Sequence, residues 1–273
     1  MNKYLELFRL ENGVIGIIGL LASAFIAVST DLLDYWVNVI IGCAVVIFFI
    51  AGGNSVNDYV DREIDKVSHP DRPIPSGRLE PKKALYIGSA CLIIACALSF
   101  FLGNWLSIAI VVAAVILMVL YETMLKQRGF VGNVAIAILT GMVFLLGGSI
   151  TGHVENCYYV AGMAALVSVG REITKDIEDM DGDAGRSTLP MRLGKRNAGI
   201  VAAIFYILGP CLSIVPMFLH TFNPLYFAVI IADAMFIYAA IILFDNPHKS
   251  QKIAKLAMFV ALIIFILGVV PWE

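Results

Sequence analysis

Two short stretches carry carboxylates at one and the same spacing. Asn57 to Asp65 reads NDYVDREID, and Lys175 to Asp183 reads KDIEDMDGD. Laid on each other, Asp58, Asp61 and Asp65 fall on Asp176, Asp179 and Asp183. Both are D-x-x-D-x-x-x-D, at an offset of 118 residues (58 to 176). On a helix, spacings of three and four place such residues within a stripe of roughly 60°, at about 100° per residue. Asn54 extends the first stripe by a turn, and Glu172 does the same for the second. Carboxylates aimed at one another repel and ordinarily take up protons. A hard divalent cation removes that conflict, and oxygen-only ligands suit magnesium, which is commonly held by one or two carboxylates plus substrate phosphates. The expected site has Asn54, Asp58, Asp61, Asp65, Asp176, Asp179 and Asp183 around two Mg2+ ions, with one diphosphate between the halves. Asp61, Asp65, Asp179 and Asp183 are expected to carry catalysis, with Asn57 as a substrate contact.

The elements that position these acids are built for lipid. The chain of 273 residues is 60% hydrophobic and only 15% charged, with mean hydropathy +0.87. A soluble domain is about a quarter charged. The apolar runs are continuous rather than alternating, so they read as membrane-spanning helices. On the approximately 20-residue rule for a spanning helix, nine spans are expected, at roughly 12–30, 38–60, 84–102, 104–121, 131–151, 157–177, 198–218, 224–244 and 252–271. Gly103 and Asn104 make the turn between spans three and four, and Asn223 and Pro224 open the eighth. Ala22-Ser23-Ala24 lies inside the first apolar run, so the first helix is expected to be retained rather than cleaved as a signal. The expected fold is an all-α bundle in a single domain, its two pseudo-repeated halves marked by the acidic motifs at 54–65 and 172–183.

Charge sets the orientation. Alternating through nine spans puts all 19 Lys and Arg residues on one side. The other side holds only Asp31, Asp34, His153, Glu155, His220 and Glu273. The basic side is expected to face the cytoplasm, together with the N-terminus and both acidic motifs. A net charge of −2 hides this segregation. Acidic loops at a membrane surface are ordinarily just solvated. Two copies of equal spacing, each at the mouth of a span, argue for function, as carboxylates lining such mouths do by default.

The loops that follow also match loosely: RPIPSGRLEPKKA begins at Arg72 and RSTLPMRLGKRNA at Arg186. Either arginine is suited to clamp a phosphate bidentately. Asn133 opens span five. Asp233 lies midway along span eight with no partner evident in sequence, and a structural role is as open as a functional one. The five cysteines sit in apolar sequence without CxxC spacing and read as small buried hydrophobes. There is no Walker loop and no dinucleotide fingerprint. No nucleic-acid partner and no obligate protein partner is expected.

At these residues the chain resembles the UbiA-type intramembrane prenyltransferase superfamily. NDYVDREID with the following HPDRPIPSG is similar to the family's first acidic motif and its loop, and KDIEDMDGDAGRSTLPMRLG to the second. The resemblance covers nearly the whole chain. It implies a helical bundle around a central cavity open to lipid, and magnesium-dependent transfer of a prenyl chain from its diphosphate to an acceptor. It also implies a substrate contact for Asn12, which otherwise reads as a helix cap. YETMLK resembles the family's Tyr-to-Lys segment, so Lys126 is implied at the diphosphate and Tyr121 at the reacting end. Lys126 otherwise reads as an interfacial anchor. The REITKDIEDMDGD and AGGNSVND segments are most similar to the family's archaeal lipid branch. Members of that branch transfer a geranylgeranyl group to geranylgeranylglyceryl phosphate, a lipid-like phosphate acceptor. Two alternatives stay open: an aromatic prenyltransferase of the same fold, and a divalent-cation transporter using the acidic stripes as its ion site.

Overall fold

The computed structural model describes residues 2–180 and 187–271, and all ordered elements among them are helical. They are α1 (Lys3–Phe8), α2 (Leu10–Val28), α3 (Trp36–Val60), α4 (Arg62–Ser68), α5 (Pro81–Ser99), α6 (Trp105–Leu120), α7 (Phe130–Ile150), α8 (Tyr158–Asp179), α9 (Leu189–Leu193), α10 (Lys195–Phe218), α11 (Val229–Ile242) and α12 (Pro247–Val269). Local chemistry sets several of the boundaries. Gly103 turns the chain at φ 75°, and the Asn104 side chain accepts from Ser107 N at 2.7 Å to cap α6. Pro81 opens α5, and Asn246 caps α12 just before Pro247.

Among the described residues seven stretches are long and apolar enough to cross a membrane. The first, Leu10–Val60, contains both α2 and α3. The expected sixth span coincides with α8, which is not among the seven, because Arg171, Glu172, Lys175 and Asp176 crowd its second half. Among the described residues each expected span falls on a helix, eight of them within the seven apolar stretches and α8 only in part apolar.

α3 packs along α5, α8 along α7 and α10, α11 along α12, and α2 touches α3, α7 and α12. The α3–α5 approach is close. A Cβ added to Gly52 would sit 3.0 Å from the Gly88 carbonyl oxygen and 2.8 Å from Leu92. Small residues at such a crossing let helix backbones meet without a water-driven force between them. Buried clusters run between the helices, one around Leu20, Val45 and Ile150 and another around Tyr226, Ile264 and Phe265. The outer face carries exposed apolar side chains such as Ile15, Ile93, Phe101, Phe218 and Ile241. A surface that apolar belongs in lipid. It also corrects the expectation for cysteine. All five thiols are free, but only Cys91 and Cys157 are buried, and Cys211 is exposed on that outer face. In a bilayer a small apolar side chain has no need to turn inward.

Candidate active site

The first acidic motif does not ride on one uninterrupted helix. α3 ends at Val60, Asp61 follows at φ −82° and ψ 1°, and α4 starts at Arg62. The backbone bonding carries through the bend: Asp61 N donates to Asn57 O and Asp65 N to Asp61 O, both at 2.8 Å. Asp58 and Asp65, on either side of the bend, share one cluster, and Asp61 at the bend belongs to another. Asp58, Asp61 and Asp65 are 2%, 8% and 3% exposed, so all three stay buried.

In the first cluster Asp61 is ion-paired with Lys126. Lys126 also lies 3.3 Å from Glu122 Oε2, to which Asn57 Nδ2 donates at 2.9 Å. Asn57 Nδ2 lies 3.3 Å from Asp61 Oδ2 as well. The side chains of Glu122 and Lys126 come from a wide π-type turn, Tyr121–Leu125, in which Lys126 N reaches back five residues to Tyr121 O at 2.9 Å. Such turns recur at functional sites. Lys126 is thus a part-buried partner of the motif. Tyr121, half-buried, opens the same turn.

In the second cluster Asp58 is ion-paired with Arg9. Arg72 Nη1 lies 2.6 Å from Asp65 Oδ2 and 3.8 Å from Asp58 Oδ1. Arg9 Nη2 is also 3.4 Å from Asn57 Oδ1, which joins the two clusters. Asn54 serves the scaffold: its Nδ2 donates to the Phe8 carbonyl at 2.9 Å and ties α3 to α1. Beside Asp58 opens a cleft of about 360 Å³ lined in part by Glu6, Arg9, His69 and Arg72.

The second motif ends α8. Asp176 is half-buried and its Oδ2 accepts from Asn133 Nδ2 at 2.9 Å, while Asp179 is exposed in the last turn. Glu172 is ion-paired with its neighbour Arg171. Asp183 and Arg186 lie outside the described residues. Asn12 is exposed on α2 and is not a cap. Arg9 holds the N-cap position, and Asn12 N donates to its carbonyl at 2.9 Å.

Known proteins decide what kind of molecule this is. The profile of the UbiA prenyltransferase family matches residues 17–263. The chain belongs to the UbiA prenyltransferase family. It is 37% identical over 276 residues to a digeranylgeranylglyceryl phosphate synthase from Methanosphaera stadtmanae, over 98% of this chain and 99% of that one. It is also 37% identical over 278 residues to the enzyme of that name from Pyrococcus horikoshii, over 100% and 99%. A solved structure concerned with digeranylgeranylglyceryl phosphate synthase in membranes superposes with a TM-score of 0.85, at 34% identity and over 97% of both chains. A UbiA homolog from Archaeoglobus fulgidus, bound to GPP and Mg2+, shares the fold at a TM-score of 0.72 and 16% identity, over 97% of this chain and 99% of that one.

As a UbiA-family prenyltransferase the protein is a multi-pass membrane enzyme, and the cation-transporter alternative falls away. The donors at its mouth fit a hard metal ion in kind: all are oxygens, and those of the first motif already draw cations. Among the described residues no three acidic, histidine or cysteine side chains form a ready-made metal cage. That suits magnesium, which completes its shell with waters and substrate phosphates. Two side chains in these clusters escaped the sequence reading. Arg9 served there only as a topology signal, and Glu122 lay unremarked inside YETMLK. Arg9 is 49 residues from Asp58 and Glu122 is 65 from Asn57. No spacing rule reaches that far. The available signal was a charged residue at the very end of an apolar run.

Proposed function

We propose that this enzyme transfers a geranylgeranyl group from its diphosphate to geranylgeranylglyceryl phosphate, with magnesium at the two acidic motifs and the reaction at the cytoplasmic mouth. The observation that carries the reading is the first-motif cluster: three buried aspartates at one end of the bundle, each held by arginine or lysine. A site of that make-up balances mixed charge in a confined space, as a metal diphosphate requires. Asp58, Asp61 and Asp65 on one side, and Asp176, Asp179 and Asp183 on the other, are the residues to hold the metal. When bound, magnesium neutralises charge gathering on the departing pyrophosphate. Lys126 and Arg72 supply further positive charge to the same oxygens. Apolar helix walls below the mouth keep water from the allylic cation.

The chemistry is an ether synthesis. The C1–oxygen bond to the diphosphate breaks and its electron pair leaves with pyrophosphate. The glycerol hydroxyl oxygen bonds to C1, and its proton passes to pyrophosphate or water. So strong an electrophile needs little activation of the nucleophile. This accords with a first-motif cluster whose described side chains include no histidine base; His69 lines the neighbouring cleft. Helix order supports an internal duplication: shifted by 118 residues, α2, α3 and α5 fall on α7, α8 and α10.

The acceptor is tested by supplying geranylgeranyl diphosphate with either geranylgeranylglyceryl phosphate or 4-hydroxybenzoate and weighing the products. Turnover of the glyceryl phosphate is expected. Prenylation of the benzoate alone would overturn the acceptor and leave the family untouched. Orientation is tested by cysteine labelling in intact cells. A thiol beside Arg192 is expected to be shielded and one beside His153 to react; equal labelling removes the proposed topology.

A further inference from the structure

Arg9 reaches Asp58 from an unusual backbone. It is the single residue between α1 and α2, at φ 47° and ψ 65°, a left-handed conformation that L side chains rarely adopt. α1 is what holds it there. Leu7 is fully buried against Ile74, Leu79 and Ala84. Arg78 forks onto Glu6 at 3.0 and 2.6 Å, Lys3 Nζ donates to the Arg78 carbonyl at 3.1 Å, and Asn54 fastens the Phe8 carbonyl. So α1 is a bracket, and the guanidinium at its end rests on a buried carboxylate of the first motif, at the wall of the cleft beside Arg72. A metal ion and a guanidinium compete for the same buried carboxylate, because like charges repel. A diphosphate offers the guanidinium a better partner, since planar N–H pairs match phosphate oxygens.

From this we infer that Arg9 is a transferable counter-ion. Without ligand it neutralises Asp58. When a metal diphosphate enters, it leaves Asp58 to the metal and moves onto the phosphate oxygens. The inference rests on the diphosphate reading above. Its consequence is coupling: metal alone binds weakly, and metal and diphosphate tighten each other reciprocally.

The test is Mn2+ binding to the full chain in detergent, read by paramagnetic resonance with and without inorganic pyrophosphate. In the unaltered protein pyrophosphate is expected to tighten Mn2+ by about tenfold or more. In Arg9→Gln, Mn2+ alone is expected to bind about tenfold more tightly and the pyrophosphate enhancement to shrink towards one. Arg9→Lys, which keeps the charge, is expected to keep Mn2+ alone weak. Where Arg9→Gln does not fold, Leu7→Ala unseats α1 with every site residue retained, and is expected to move both readings the same way by less. Unchanged Mn2+ affinity with undiminished enhancement overturns the role of Arg9 alone. Failure of the unaltered protein to bind Mn2+ even with pyrophosphate overturns the diphosphate reading, and this inference with it.

Discussion

The two acidic motifs share a spacing but not an environment. Asp58, Asp61 and Asp65 are buried under α1 and the Tyr121–Leu125 turn, each against an arginine or lysine. Asp176 is half-buried against an asparagine amide, and Asp179 is exposed at the end of α8. The difference is one of burial: a bracket helix and a wide turn roof the first motif, while Asp176 is half-buried and accepts from Asn133 of α7 among its contacts. A buried acid outside both motifs sharpens the point. Asp233 accepts from Ser213 Oγ at 2.7 Å, and its other oxygen has no hydrogen-bond partner among the described residues. Burial alone does not make an acid functional. Each acid of the first motif meets an arginine or lysine, whereas among the described residues a hydroxyl is the hydrogen-bond partner of Asp233.

Substitution tests this contrast. The largest effect is expected for Asp61→Ala and Asp179→Ala, each lowering transfer by about 10³-fold or more, since both motifs must balance the same leaving group. The assay is pyrophosphate release by protein that still elutes as a single species. Near-normal activity of Asp179→Ala alone would mean that the environmental difference is also a functional one.

Lys126→Ala comes next, with kcat/KM expected to fall about 10²-fold on the proposed diphosphate role, and because it also takes the ammonium away from the buried Asp61 and Glu122 carboxylates. Steady-state kinetics at saturating Mg2+ measure it. A loss below about threefold would return Lys126 to a structural role.

Asp233→Asn keeps an oxygen for Ser213, so activity is expected to stay within about threefold and stability within about 1 kcal/mol. A thermal melt and one rate decide it, and loss of activity with the fold intact would make Asp233 part of the chemistry.

The smallest effect concerns the bracket. Arg78 holds the Glu6 carboxyl below the usual carboxylate value, chiefly by hydrogen bonding to it. A carboxylate whose pKa is depressed on folding stabilises the fold above its unfolded pKa and loses that contribution as pH falls through the folded value. Both groups lie at the surface, so the gain is modest. Amide exchange of residues 3–9 is expected to quicken below about pH 4 while that of α3 does not. Glu6→Gln should remove this pH dependence, and its persistence would locate the titrating group elsewhere.

Much of the molecule was legible beforehand. Continuous apolar runs mark helices, because lipid leaves no other partner for backbone polar groups. The nine expected segments fall on helices to within about five residues; the acidic repeat picked out Asp58, Asp61 and Asp65, the matching loops Arg72, and the family resemblance Lys126. Other points were decided locally: the chain bends at Asp61, the Asn54 amide N–H donates to the Phe8 carbonyl while its oxygen is the atom that would meet a metal, and Arg9 rather than Asn12 holds the cap position.

The sequence by itself determined that this is a helical membrane protein with paired carboxylate motifs, because hydropathy, charge segregation and spacing are all local in the chain, and its likeness to the prenyltransferase family supplied the rest. Only the tertiary structure decided which cation meets which acid. Arg9 finds Asp58, Lys126 finds Asp61 and Glu122 finds Asn57 across separations of 49 and 65 residues. Helix packing and the kinks at Arg9 and Asp61 set those meetings, and neither is written in any one segment.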